Sequence, residues 1–382
     1  MTASLPRPAP RLHGRALVMP AVLAAIWVFF TLMSRDFVSP RNLSMLMIEL
    51  SVTATLALGM LLIILTGNID LSAGSGVGLI GGIAAVLVFR ADLPAPLALA
   101  AALLVALLLW TAMGAIIVLN RIQAFIITLG GLLAFKGLHW LVIRSQTVPV
   151  SRGGQDNLFS LLTTYYLPPA TGWALAAAVI ALLVARQLRG RAARRAAGFP
   201  IEDAELAFLK ILVTAQAIAL VVLVCNAYRG LPLSFLILCA VAVAVFVLTR
   251  HTPFGRYLYA IGGNEEAALL SGVPVKAVVI ASYTIMGGIV AVTGFLQTAY
   301  SGATTTTVGE LMELDAVAAC VIGGASLRGG RGTVTGVLFG ALVMASLLNG
   351  MTLLAVSPEL KFIVRGTVLG LAVWADTRLA RT

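Results

Sequence analysis

Charge, histidine and cysteine are all scarce in this chain: 11% of its 382 residues are charged, three are histidines and three are cysteines. His13, His139 and His251 are scattered, without an H-E-x-x-H sequence or a cysteine cluster, so no metal site is expected. No G-x-x-x-x-G-K-[ST] sequence occurs, which argues against ATP binding through a Walker motif of the chain's own. A G-x-S-x-G elbow is missing too, so nothing supports an enzyme site. Gly76-Val77-Gly78-Leu79-Ile80-Gly81 matches G-x-G-x-x-G letter for letter. It lies inside an apolar run with no alternating strand and helix pattern, which speaks against dinucleotide binding. Cys225, Cys239 and Cys320 fall in apolar segments and read as small buried hydrophobes rather than a disulfide set.

What is abundant is apolar surface. The chain is 60% hydrophobic with a mean hydropathy of +1.02, far beyond the apolar content of soluble domains. The expected fold class is all-α, a polytopic helical membrane protein with about 10–12 spanning or re-entrant segments of roughly 20 residues each. Candidate spans lie near 17–34, 44–66, 73–90, 96–119, 123–143, 170–187, 206–226, 231–249, 278–299, 315–325, 332–349 and 360–376, of which 315–325 is too short to cross comfortably. The division expected is a cytoplasmic tail over 1–16, a transmembrane domain over 17–376 and a cytoplasmic tail over 377–382. Residues 7–33 have the basic-then-apolar order of a signal peptide but no following cleavage site and soluble domain, and read as an uncleaved first helix.

The net charge of +11 does not require nucleic acid, because cytoplasmic loops of membrane proteins collect Lys and Arg. With both termini inside, the cytoplasmic loops receive most of the arginines, including Arg186, Arg189, Arg191, Arg194 and Arg195. That cluster, which turns acidic at Glu202, Asp203 and Glu205, reads as a contact with anionic lipid headgroups. Gly74 and Gly78, Gly78 and Gly82, Gly336 and Gly340, and Gly366 and Gly370 sit four apart, the spacing that lets helices approach closely.

Three polar interruptions carry most of the functional information. Thr66-Gly67-Asn68-Ile69-Asp70-Leu71-Ser72 joins two apolar runs by a short turn, where Asp70 or Ser72 is placed to cap the next helix and to line a cavity. Glu310, Glu313 and Asp315 precede the short segment 315–325, so Asp315 is placed to cap a half-helix, and discontinuous helices are one way to build a substrate path. Between two spans, 250–276 holds Asn264 as an N-cap, the run Glu265-Glu266-Ala267-Ala268-Leu269-Leu270, and Gly272 with Pro274 to stop it. So short a helix must dock on something, and a lever gripped by another protein is the reading preferred. Glu49, Lys136 and Arg365 are the other charges in apparent spans, and snorkelling to the interface is the expectation for each.

At 66–72, at 262–272 and at 314–326, the chain resembles the permease subunit of bacterial carbohydrate ATP-binding-cassette importers, the ribose, galactoside and xylose group. Gly329-Gly330-Arg331-Gly332-Thr333-Val334-Thr335-Gly336 and Asn349-Gly350 also fit, and the extra apolar segment near 206–226 makes it most similar to the xylose-carrying members. It departs from the group at Asn68 and Ala73, where Gly and Val are usual.

The resemblance implies an inner (plasma) membrane protein of bacteria with no cofactor of its own. A separate cytoplasmic ATPase would bind ATP and Mg, a periplasmic sugar-binding protein would deliver substrate, and a second permease copy would complete a homodimer. It implies that Gly262, Gly263, Asn264, Glu265, Glu266, Ala267, Ala268, Leu269 and Gly272 form the coupling helix, and that a pentose such as xylose is imported. Thr66, Asn68, Asp70, Ser72, Thr305 and Asp315 are the candidate path residues. The competing expectation is an ion-coupled secondary transporter using Asp70 and Asp315, since intramembrane carboxylates serve ion pathways.

Overall fold

A computed structural model describes residues 14–200 and 203–379. Arg7, Arg11, Arg381 and Glu202 lie outside the described residues, as does most of the expected N-terminal tail. The described chain forms fifteen α-helices: α1 (Gly14–Met33), α2 (Pro40–Leu65), α3 (Ala73–Phe89), α4 (Ala95–Leu119), α5 (Ala124–Ile143), α6 (Leu158–Thr164), α7 (Pro169–Ala196), α8 (Ala204–Asn226), α9 (Leu233–His251), α10 (Pro253–Gly263), α11 (Glu265–Leu270), α12 (Val275–Ser301), α13 (Met312–Ile322), α14 (Val334–Leu353) and α15 (Pro358–Leu379). Residues 14–16 and 377–379, expected in the tails, continue α1 and α15.

Eight of these helices are long and apolar enough to cross a membrane by length and composition. α2 is the centre of the bundle, with 83% of its apolar window buried, and α12, α14, α13 and α9 pack around it. Its buried face runs unbroken from Ala54 to Leu65. By contrast α7 and α8 pair mainly with each other and bury only 11% of their windows, so this hairpin stands at the periphery. At 28 residues α7 is about 42 Å long, against a hydrocarbon layer of about 30 Å, so its last turns, with exposed Arg189, Arg194 and Arg195, project beyond it.

Two helices packed in the bundle are shorter than these eight: α3 spans 17 residues and α13 only 11, about 26 Å and 16 Å respectively. Between α12 and α13 the chain forms strand β4 (Ala303–Thr304), which pairs antiparallel with β1 (Val148–Pro149) after α5. It then descends through 305–311 into the bundle. A second two-residue pair, β2 (Tyr166–Leu167) with β3 (Leu231–Pro232), joins the ends of the α7–α8 hairpin. Both strand pairs lie at the end of the bundle opposite α10 and α11.

Four expectations are corrected by the packing. Cys239 is exposed on α9, where its helix faces outward, whereas Cys225 and Cys320 are buried; all three are free. Gly366 and Gly370 meet no atom of the described residues within 4 Å, while Gly74, Gly78 and Gly82 pack closely on Glu313, Val308 and His139. The N-cap of α13 is Leu311, held at φ 60°, so Asp315 lies further along the first turn and caps nothing. The region 250–276 contains a second helix, α10, which starts at Thr252 and Pro253, with the Thr252 hydroxyl accepting from Gly255 N at 3.3 Å. Gly262 and Gly263 are therefore its last turn.

Candidate functional site: a polar cavity and its link to α10 and α11

The segment 305–311 is a wall between two cavities. The larger has a volume of about 370 Å³ and lies between α2, α12, α14 and α15, with Glu49, Tyr300, Thr305, Asp315 and Arg365 in its lining. The smaller, about 100 Å³, lies on the α5 side and is lined by Lys136, His139 and Glu313, among others. Val308, Gly309 and Glu310 border both. Gly309 lets the wall enter so far: its φ of +88° suits glycine, and a Cβ there would strike the carbonyl of Gly74 on α3.

Successive turns of α5 hold the wall from one side. Lys136 Nζ donates to Glu310 Oε1 at 3.1 Å, His139 Nε2 lies 3.0 Å from Thr304 Oγ1, and Trp140 Nε1 donates to the Thr306 carbonyl at 3.1 Å. On the large-cavity side, Tyr300 OH donates to Glu49 Oε1 at 2.9 Å. Asp315 Oδ1 and Arg365 Nε form an ion pair at 3.5 Å without making a hydrogen bond. Glu49 and Arg365 thus line the cavity, and Lys136 is paired with Glu310. A charge inside an apolar span was the available signal; its direction depends on packing.

The other candidate path residues lie elsewhere. Asp70 is completely buried, and its two oxygens are fully engaged: Oδ1 accepts from Ser72 N at 2.8 Å and from Ser72 Oγ at 2.5 Å, and Oδ2 accepts from Trp110 Nε1 at 2.7 Å. The carboxylate therefore ties the start of α3 to α4. Asn68 Nδ2 donates to Thr66 Oγ1 at 2.9 Å within the turn. Of the six, Thr305 and Asp315 line the large cavity.

The opposite end of α13 leads to α10 and α11. Past Ile322 the glycine-rich stretch folds back, Gly330 N donates to the Leu65 carbonyl at 3.1 Å, and Tyr259 OH of α10 donates to the Gly332 carbonyl at 2.9 Å. Gly262 lies so close to Leu65 and Gly330 that a Cβ on it would overlap both. From α10 the chain passes to α11, where Asn264 Oδ1 accepts from Ala267 N at 2.9 Å, forming the expected cap, and Gly272 at φ +82° follows the last turn. Ala268 is buried, while Glu265, Glu266, Ala267, Leu269 and Leu270 are exposed, Leu270 at 83%.

A central buried helix, eight helices long and apolar enough to cross a membrane and a polar cavity among them make the fold that of a multi-pass helical membrane protein. The chain belongs to the family described as branched-chain amino acid transport system / permease component, whose family model matches residues 42–373. It is similar to the xylose transport system permease protein XylH of Escherichia coli strain K12, 38% identical over 97% of this chain and 93% of that one. It is likewise similar to XylH of Haemophilus influenzae, at 36% over 94% and 95%, and to the ribose import permease protein RbsC of E. coli K12, at 32% over 96% and 94%. No solved structure matches it.

Proposed function

We propose that the chain is the membrane-spanning subunit of an ATP-driven sugar importer in the bacterial inner membrane, with xylose or a similar pentose as its cargo. The observation that carries this reading beyond the family is the continuous link from α11 to the polar cavity. α11 presents Leu269 and Leu270 beside Glu265 and Glu266 on an exposed, capped helix, the composition expected of a knob gripped by a partner. Behind it, Tyr259 and Gly262 hold 329–332, which leads to α13 and so to Asp315 in the cavity.

In this scheme α11 docks in a groove of a cytoplasmic ATPase that binds ATP and Mg. Its movement is passed through α10 to α2 and α13, opening and closing the cavity. The strand-paired end of the bundle faces the periplasm and receives sugar from a binding protein, and two copies of the chain form the working permease. A neutral polyol needs groups that hydrogen-bond its hydroxyls, and Thr53, Gln297, Thr305 and Thr352 supply some of them in the lining. Asp70, one of the two carboxylates of the ion-coupled alternative, is engaged by Ser72 and Trp110, which disfavours an ion-carrying role for it.

The test is reversal of both exposed charges, Glu265→Lys with Glu266→Lys, in the tagged chain co-expressed with its ATPase. The expected result is loss of the ATPase from the purified material with membrane insertion retained. Normal co-purification and normal sugar uptake by the double variant would overturn the assignment of α11.

A further inference from the structure

The large cavity holds an incomplete recognition set. Asp315 is 5% exposed, yet its Oδ1 has no hydrogen-bond partner, and neither has Arg365 Nε opposite it. Buried donors and acceptors are normally hydrogen-bonded; Asp315 and Arg365 form an ion pair at 3.5 Å that leaves the hydrogen-bonding capacity of both atoms unused, open to a third group. A second carboxylate, Glu49, oriented by the Tyr300 hydroxyl, lines the same cavity. Thr305 and Thr307 hydroxyls lie 3.1 Å apart on its wall.

That combination matches a small polyhydroxylated ring. Each hydroxyl both donates and accepts, so adjacent hydroxyls of a sugar can donate to a carboxylate and accept from a guanidinium at once. Tyr300 adds an aromatic ring with a polar end, suited to the mixed apolar and polar faces of a monosaccharide. A volume of about 370 Å³ lies within the range of small-molecule sites, and a few placed polar groups are what fix orientation in such sites.

We propose that this cavity is a monosaccharide-binding site of the permease itself, with Asp315 and Arg365 recognising a pair of sugar hydroxyls and Glu49 with Tyr300 holding another edge. It rests on the sugar-import reading, and makes the permease a second point of selection rather than a passive channel.

The experiment is saturation-transfer difference NMR with D-xylose on the detergent-purified chain in complex with its ATPase, comparing wild type with Asp315→Asn and Glu49→Gln. Both variants keep side-chain size, and retained ATPase in the purified complex certifies folding. The expected result is transfer to D-xylose in the wild type, reduced at least tenfold in either variant and unchanged in Glu359→Gln, which lies outside the cavity lining. No transfer in a wild-type complex that imports sugar when supplied with its binding protein would overturn the site while leaving the importer reading intact. Equal transfer in wild type and both folded variants would overturn it as well. Absence of ATP-dependent sugar import by the full complex would instead remove the reading beneath it. If Asp315→Asn does not fold, Glu49→Gln alone decides.

Discussion

Gly262→Ala should disconnect the lever from the cavity without removing the lever. The new methyl group would overlap the Leu65 carbonyl and the Gly330 amide, so α10 must move away from 329–330 or the Gly330 to Leu65 hydrogen bond must break. Losing that bond costs about 1 kcal/mol, and forcing a methyl into a close-packed junction adds about 1–3 kcal/mol. The sum, about 2–4 kcal/mol, disfavours the joined state by about 30- to 700-fold at about 1.4 kcal/mol per factor of ten. Gly263→Ala is the matched control, since a Cβ there meets nothing within 4 Å. Both substitutions raise intrinsic helix preference by the same amount, about 1 kcal/mol, so their difference isolates the junction. In vesicles holding the permease, its ATPase and the sugar-binding protein, Gly262→Ala should hydrolyse ATP while sugar uptake falls at least tenfold, and Gly263→Ala should stay within about twofold of wild type. Full uptake by Gly262→Ala, or the same loss in both, would refute the idea that force passes through this contact.

Trp110→Phe removes the donor to a completely buried carboxylate and should lower the stability of the detergent-solubilised chain by about 1–3 kcal/mol, read as an earlier thermal transition. Asp70→Asn keeps an acceptor for Ser72 and should be milder than Asp70→Leu, which leaves both Ser72 and Trp110 without one; equal thermal transitions for the two would show that the carboxamide replaces none of these bonds. Lys136→Gln breaks an ion pair whose side chains are 38% and 40% exposed, and should change stability by no more than about 1 kcal/mol, with a larger shift arguing for a shielded pair.

Most of the helices were legible because the run of apolar residues needed to cross a bilayer leaves little freedom: each expected span coincides with a helix to within a few residues, apart from the extension of α7 along its arginines. α10 was missed although Thr252-Pro253 is a helix-start signal, because its eleven residues are too mixed in polarity to register as a span. α6 was missed for the same reason; its capping box, in which Asn157 Oδ1 accepts from Ser160 N at 3.0 Å, is written in short polar residues of a loop. The cavity was half visible. Thr305 and Asp315 stood out as polar residues beside a broken helix, whereas Glu49, Tyr300 and Arg365 are on three other helices, and only their packing turns them toward a common space. Asp70 was the opposite case, conspicuous in the sequence and claimed in the fold by a tryptophan 40 residues away.

The strip of chain at 308–310 borders a chamber on each of its faces, and this has a simple geometrical corollary. With the surrounding helices held fixed, a shared partition cannot shift without enlarging one compartment at the expense of the other, so a displacement of 308–310 relative to α5 would exchange volume between the two, as across a diaphragm.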